Sequence, residues 1–318
     1  MKRFVRLSIA ALLSAIITVN LLAFMQARAL TRFVESGDRT GRPEQLSVLD
    51  KIAVLLSGAR IPRPTNRRTP AELGLAYETH RIPSGRSISL DAWVLPGRSD
   101  QPVVALFHGY AASKSTLLGA ARELHGLGYT ALLADFYGSG DSSGTGTTVG
   151  VKEADDVFAV AEYSRRRWPN RKLVLYGFSM GGSAVLRAIA VNGVEAAGVI
   201  IEATFDSLLE TARSRFVAMG LPASPFAELL LFWGGLQNGF NPFAHNPKDY
   251  ARAVNVPVLI LHGAADVRVP LHQVSNVAGA MQGNARLMVY QGVPHMPIVE
   301  AERQEWSRQV DEFLRSIR

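Results

Sequence analysis

Leu173-Val174-Leu175-Tyr176-Gly177-Phe178-Ser179-Met180-Gly181-Gly182 is the stretch from which the fold is read. A short apolar, β-prone run drives into Gly-x-Ser-x-Gly, and Ser183-Ala184-Val185-Leu186-Arg187-Ala188-Ile189-Ala190 continues with helical character. Gly177 and Gly181 carry no Cβ, so a strand and a helix can approach closely on either side of a sharp turn. Such a turn holds Ser179 in a strained conformation with its hydroxyl above the sheet. The start of the following helix offers unpaired N–H groups and a positive dipole end. Gly and Ser are common residues, so the pattern gains its meaning from the strand before it and the helix after it. The competing reading is an ordinary glycine-rich βα loop, and the rest of the chain decides between the two.

Working outward, residues 76–82 and 87–95 flank Pro83-Ser84-Gly85 and predict a hairpin. After Pro96-Gly97 strands and helices alternate. Strands are expected at residues 103–107, 130–134, 197–201, 256–261 and 286–290, and helices at 113–127, 151–168 and 300–317. Continuously apolar strands alternating with helices imply an α/β fold with a mostly parallel central sheet covered on both faces. Sites in such sheets form at the carboxyl ends of the strands. Ser179, Asp266 and His295 stand in that chain order, each shortly past its own expected parallel strand, which is the order of a hydrolase triad on this architecture.

Over residues 75–318 the chain resembles the α/β-hydrolase superfamily, most closely its small lysophospholipase-like and dienelactone-hydrolase-like serine hydrolases. The resemblance rests on Gly177-Phe178-Ser179-Met180-Gly181-Gly182, His108-Gly109-Tyr110, residues 135–144, His262-Gly263-x-x-Asp266-x-x-Val269-Pro270 and Pro294-His295. It implies Ser179 as nucleophile, His295 as general base and Asp266 as the acid that orients it. It also implies an oxyanion hole made by the backbone N–H groups of Tyr110 and Met180. Ser139 departs from the pattern, since many relatives carry His there. His108 and His262, before Gly at strand ends, read as structural. Asp135 is an alternative acid that the spacing of Asp266 disfavours, and Asp141, Asp155 and Asp156 read as loop and helix-surface charges. His80, His125, His245 and His272 lack metal-ligand spacing, residues 135–144 follow no phosphate-loop pattern, and neither a cofactor nor a metal site is expected.

Between residues 201 and 256 lie more residues than a plain crossover needs. This insertion, about residues 206–250, is rich in apolar side chains such as Phe216, Leu229, Phe232 and Trp233. It is expected to form a small helical lid, whose apolar residues either receive an acyl chain or simply pack. The chain opens with basic residues and a charge-free run, Leu7 to Met25, about long enough to cross a bilayer. That length favours a retained signal anchor with the catalytic domain outside the cytoplasm. Ala27-Arg28-Ala29 has the form of a cleavage site, and a cleaved signal would leave a secreted or periplasmic protein. Residues 30–70 form a connector holding an amphipathic helix over 45–57, suited to a membrane surface or to packing on the domain, which occupies residues 71–318.

The formal charge of +7 resides in residues 1–86, where 14 Lys and Arg face 6 Asp and Glu; residues 87–318 hold 20 against 21. Basicity placed there fits an anionic membrane surface and not a nucleic acid. The absence of cysteine removes disulfides, thiolate metal sites and Cys nucleophiles together. The expected activity is hydrolysis of carboxylic esters, including lipid esters or thioesters, through an acyl-enzyme. A serine peptidase or an acyltransferase of the same fold is the enzymatic alternative, and an intact triad speaks against a non-catalytic membrane scaffold.

Overall fold

The computed structural model describes residues 2–41, 46–85, 87–283 and 285–317. The described chain forms two compact units: the residues up to Pro62 together with Leu208–Ala244, and Arg63–Ser207 together with the residues from His245 onward.

The smaller unit is helical, with α1 (Lys2–Thr31), α2 (Val48–Ser57), α6 (Leu208–Ala218) and α7 (Phe226–Asn238). Within α1, Arg3–Thr31 is long and apolar enough to cross a membrane, with a mean hydropathy of 2.3, and its most apolar window has no buried residue. The last three turns of α1 pack along α7. Trp233 Nε1 donates to Asn20 Oδ1 at 3.2 Å, Gln237 Nε2 donates to the Phe24 carbonyl at 3.0 Å, and the Trp233 ring meets Phe24 edge-on at 5.5 Å. Ser47 caps α2 by accepting the Asp50 N–H at 3.1 Å; Gln45, where the predicted helix starts, lies outside the described residues. Much of the insertion's aromatic content is spent on packing inside this unit, as where Phe216 stacks on Phe226 at 6.2 Å.

The larger unit is built on one eight-stranded sheet. It contains β1 (Glu78–Pro83), β2 (Ser89–Leu95), β3 (Val103–Phe107), β4 (Thr130–Ala134), β5 (Leu173–Phe178), β6 (Gly198–Glu202), β7 (Val258–Gly263) and β8 (Ala285–Tyr290), in the order β1-β2-β4-β3-β5-β6-β7-β8. β1 and β2 form the expected antiparallel hairpin and β2 joins β4 antiparallel; every other pairing is parallel. All residues of β3, β4, β6 and β7 are buried, as strands covered on both faces must be, and their largely apolar sequences reflect it, with Glu202 and His262 as buried polar exceptions near strand ends. The covering helices are α3 (Leu118–Gly126), α4 (Glu153–Arg167), α5 (Met180–Asn192), α8 (Pro247–Ala251), α9 (Leu271–Gly279) and α10 (Arg303–Ile317). α10 buries Trp306, Val310 and Leu314 in a core shared with Leu106, Leu133 and Tyr176. The fold is therefore the mostly parallel α/β-hydrolase sheet expected from the pattern. Two local details differ. Residues 114–117 form a tight 3₁₀ turn ahead of α3 in place of a continuous helix, and His262 lies inside β7, one residue before its end.

Asp156 corrects an expectation. It is not a surface charge: a helix turns by about 100° per residue, so Asp155 faces solvent while Asp156 points inward. Its carboxyl accepts from Ser84 Oγ at 2.8 Å and from the Tyr137 N–H at 2.9 Å, joining α4 to the hairpin turn and to the loop after β4. Burial pushes its pKa up to about 7, from an ordinary value near 4. Between those values the folded chain holds a proton that the unfolded chain has released, so this group's contribution to stability falls as pH rises from about 4 to about 7. Asparagine can keep both hydrogen bonds. Asp156→Asn is expected to remove this fall, up to about 4 kcal/mol in total between pH 4 and 7, read from urea unfolding across the pH range. An unchanged slope would show that the Asp156 carboxyl is ionised throughout.

Candidate active site

The chain reverses between β5 and α5 within one residue, leaving Ser179 at φ 53° and ψ −116°, a conformation costly for any side chain. The flanking glycines follow from close approach of backbone and, at Gly182, of side chains. A Cβ on Gly177 would overlap the Gly182 nitrogen, one on Gly181 the Phe107 carbonyl, and one on Gly182 the Thr204 hydroxyl. Hydrogen bonds hold the strained turn in place. The Ser179 N–H donates to the Glu202 carbonyl at 2.7 Å, and the Ser179 carbonyl accepts from Gly182 and Ser183 at 3.0 and 3.2 Å. Met180 opens α5, so its N–H belongs to the unpaired first turn of a helix whose positive dipole end lies at the serine.

Asp266 follows β7 by three residues. Its Oδ1 accepts the N–H groups of Arg268 and Val269 at 2.9 and 3.0 Å, leaving Oδ2 for His295 Nδ1 at 2.6 Å. Burial works to raise this carboxyl, but the hydrogen bond to His295 and the two N–H donors outweigh it and hold it below the ordinary aspartate value. The His295 ring lies 5.3 Å from that of Phe178, the residue before the serine, so this pair and the elbow meet at one edge of the sheet. The loop after β3 arrives there too. A Cβ on Gly109 would come within 3.1 Å of the Phe178 ring and 3.5 Å of Ser179 Cβ, which places the backbone leading to Tyr110 beside the elbow.

The two histidines read as structural are both fully buried. His108 Nδ1 donates to the Gly109 carbonyl at 2.8 Å while its Nε2 accepts the Phe136 N–H at 3.1 Å, and burial lowers its pKa. His262 carries no hydrogen bond on either ring nitrogen among the described residues. A second Ser–His contact, Ser183 Oγ to His245 Nε2 at 2.9 Å, is no rival to the first. The same Nε2 lies 3.1 Å from the Val149 carbonyl, which can only accept, so Nε2 carries the proton and cannot take one from Ser183.

Sequence reasoning missed a buried charge cluster. Lys114 is completely buried, with its Nζ 2.6 Å from Asp91 Oδ1 and hydrogen-bonded to Asp135 Oδ2, and 4.3 Å above the Trp93 ring. Its backbone N–H donates to Asp135 Oδ1 at 2.7 Å, and Arg81 Nε approaches Asp91 Oδ2 at 3.3 Å. Asp91, Asp135 and Asp141 converge closely enough to suggest a cation site, and the Lys114 ammonium occupies that position. Burial works to raise Asp135, yet the Lys114 charge, helped by His108 and the hydrogen bonds from Lys114, holds it low. The cluster fixes the far end of the loop that begins at His108. Arg63 braces the neighbouring loop containing Ser139, donating to the carbonyls of Gly140, Ser142 and Gly144. Glu202 was missed as well. Fully buried and pushed up to about 7 by that burial, it accepts from Trp306 Nε1 at 2.6 Å and from the Ile298 N–H at 3.1 Å. Its carbonyl holds the Ser179 N–H, so one residue joins the elbow to the segment following His295.

A family model described as serine aminopeptidase, S33, matches residues 98–233. An uncharacterised protein of Mycobacterium tuberculosis is 28% identical over 227 residues, covering 67% of this chain and 73% of its own length. The lysophosphatidylserine lipase ABHD12 of Danio rerio is 26% identical over 184 residues, 54% of this chain and 45% of that protein. Among solved structures, the Pyrococcus furiosus esterase Pf2001 superposes with a TM-score of 0.66 at 23% identity, covering 80% of this chain and 98% of that one. The sheet, the strained serine turn and these likenesses agree. The chain has the α/β-hydrolase fold.

Removing one partner from a buried charge cluster leaves the others uncompensated, at about 3–5 kcal/mol. Lys114→Met is therefore expected to lower unfolding stability by that order in denaturant titrations. The double variant Lys114→Met/Asp135→Asn should recover part of the loss. If the single variant is as stable as the parent, the cluster does not hold the loop.

Proposed function

We propose that the protein hydrolyses carboxylic esters through an acyl-enzyme on Ser179, with lipid or other apolar acyl esters as the substrate class. The observation that carries this reading is the 2.6 Å hydrogen bond between His295 Nδ1 and Asp266, formed at the sheet edge where the strained turn raises Ser179. With Nδ1 committed to Asp266, Nε2 is the free nitrogen of His295. It accepts the Ser179 hydroxyl proton as Oγ bonds to the acyl carbon, and the carbonyl electrons move onto oxygen. The N–H groups of Met180 and Tyr110 stabilise that oxyanion; a donor of this kind contributes roughly 3–4 kcal/mol in the transition state. Collapse expels the alcohol with the proton from Nε2, and water repeats the cycle to release the acid. Asp266, held ionised, stabilises the imidazolium in both halves.

The apolar insertion and the long apolar α1 support a lipid-like substrate and a membrane setting in which α1 serves as anchor. The description of the matching family model supports a second reading, cleavage of small aminoacyl substrates by the same residues. A fluorophosphonate probe tests the nucleophile: the parent chain is expected to label and Ser179→Ala to lose all labelling. His295→Ala and Asp266→Asn are expected to lower kcat on a p-nitrophenyl ester by about 10³–10⁴-fold. Labelling of Ser179→Ala at the parent rate would remove Ser179 from the mechanism. Turnover of esters graded in acyl length beside aminoacyl amides separates the substrates. kcat/KM rising with chain length supports the lipid reading, whereas faster amide cleavage transfers the assignment to peptides.

A further inference from the structure

The insertion helix α7 does not stand apart from the apolar N-terminal helix. Residues 3–18 of α1 are all exposed, whereas from Val19 onward one face of the helix is half-buried, Ala27 fully so, while Leu21, Met25 and Arg28 remain exposed. Arg6 is the last charge before Arg28. A span of about 20 residues, needed to cross the hydrocarbon core, counted from Arg6 ends near Gln26. Asn20 and Phe24, which meet Trp233, fall inside that span, and Gln26, Thr31, Gln237 and Asn238 fall at its edge. α1 and α7 run parallel, Trp233 to Asn20 and Gln237 to Phe24, so α7 reaches the same depth as the end of the span.

The surface α7 leaves uncovered is suited to that depth. Phe232 is 50% and Leu236 64% exposed, on neighbouring turns of one face. The only acidic residue of α7, Glu228, is paired with Arg213 at 2.6 Å, so the helix brings no uncompensated charge. Asn20 would be costly as a lone amide in lipid; here its Oδ1 accepts from Trp233, and its Nδ2 donates to the Ile16 carbonyl at 2.9 Å. α2 lies against the same end of α1, where Gln26 Nε2 donates to the Leu55 carbonyl at 3.0 Å, and its uncovered face is Val48, Leu49, Ile52 and Leu56. An apolar helix face crossing the end of a span, next to Trp and amide side chains, has the character of an interfacial element.

We infer that α1, α2 and α7 form one bilayer-docking unit, in which the faces carrying Phe232, Leu236 and Ile52 insert into the lipid around the emerging end of a retained α1. This rests on the anchor reading of α1 and extends it to the insertion. Cleavage after Ala29 would strip Trp233 and Gln237 of the hydrogen-bond partners they have in this unit.

The chain contains no cysteine, so single cysteines report without background. Phe232→Cys, Leu236→Cys, Ile52→Cys, the anchor control Ile9→Cys and the exposed control Asp100→Cys are labelled with bimane in the full chain. Each is reconstituted into phosphatidylcholine–phosphatidylglycerol vesicles with and without brominated acyl chains, after thermal melts show that it folds like the parent. Positions 9, 52, 232 and 236 are expected to be quenched about twofold or more, and position 100 hardly at all. Quenching at 9 with none at 232 and 236 leaves the anchor standing and overturns the inference. No quenching at 9 overturns the anchor reading itself. If brominated lipid leaves 232 dark-state free while pyrene at that position forms excimers that vanish on dilution with unlabelled chain, a second copy covers the face and the lipid assignment is overturned.

Discussion

A single-residue reversal from strand to helix at Ser179 constrains everything around it. Backbone must pass backbone at distances that leave no room for Cβ atoms on Gly177 or Gly181, and the Thr204 and Ile201 side chains leave none on Gly182, so β3, β6 and α5 meet closely at the turn. The unfavourable φ of 53° persists because the surrounding sheet over-determines it. The Ser179 N–H is held by β6, and the carbonyl serves the first turn of α5. Local strain is offset by an extended, fully buried sheet that offers the chain no alternative path.

Around this turn, three groups of buried polar side chains are satisfied as sets, although His262 is buried without a hydrogen bond on its ring. Lys114 with Asp91 and Asp135, Glu202 with Trp306 and the Ile298 N–H, and Asp156 with Ser84 and the Tyr137 N–H each secure a loop at the carboxyl edge of the sheet. Apolar packing would hold such loops only loosely in direction. Hydrogen-bonded charges define direction, and loops carrying backbone donors need it. Asp135 and Asp266 show how environment separates like residues. Each is held ionised, one by a lysine and one by a histidine, so only one serves His295.

The sheet was legible because its central parallel strands are largely apolar runs bounded by turn residues, and β3 and β4 begin and end where their patterns do. Ser179, Asp266 and His295 were legible for a related reason: each lies within a few residues of its own strand, so local order carries its position. The supporting groups were not. Lys114 meets Asp91 and Asp135 across 23 and 21 positions, and Glu202 meets Trp306 across 104. Nothing near a lysine in sequence announces that its ammonium will be buried. The partnership of α7 with α1 spans 213 positions, and from the sequence the insertion's aromatic residues pointed as readily to an acyl pocket.

The strand order carries a kinetic meaning as well. β3 lies between β4 and β5, and β5 between β3 and β6, although about 65 residues separate the ends of β3 and β5 in the chain. The backbone leading to Tyr110 comes beside Ser179 only after that long loop has closed, and the His295–Asp266 pair waits on β7 joining β8. Loop closure must be met before such parallel pairings stabilise anything, so they belong to the slow part of folding. The contacts that hold Ser179 at a φ of 53° come from β3 and β6. The strained backbone at Ser179 thus depends on strands that pair across long loops, and the turn's own sequence does not impose it.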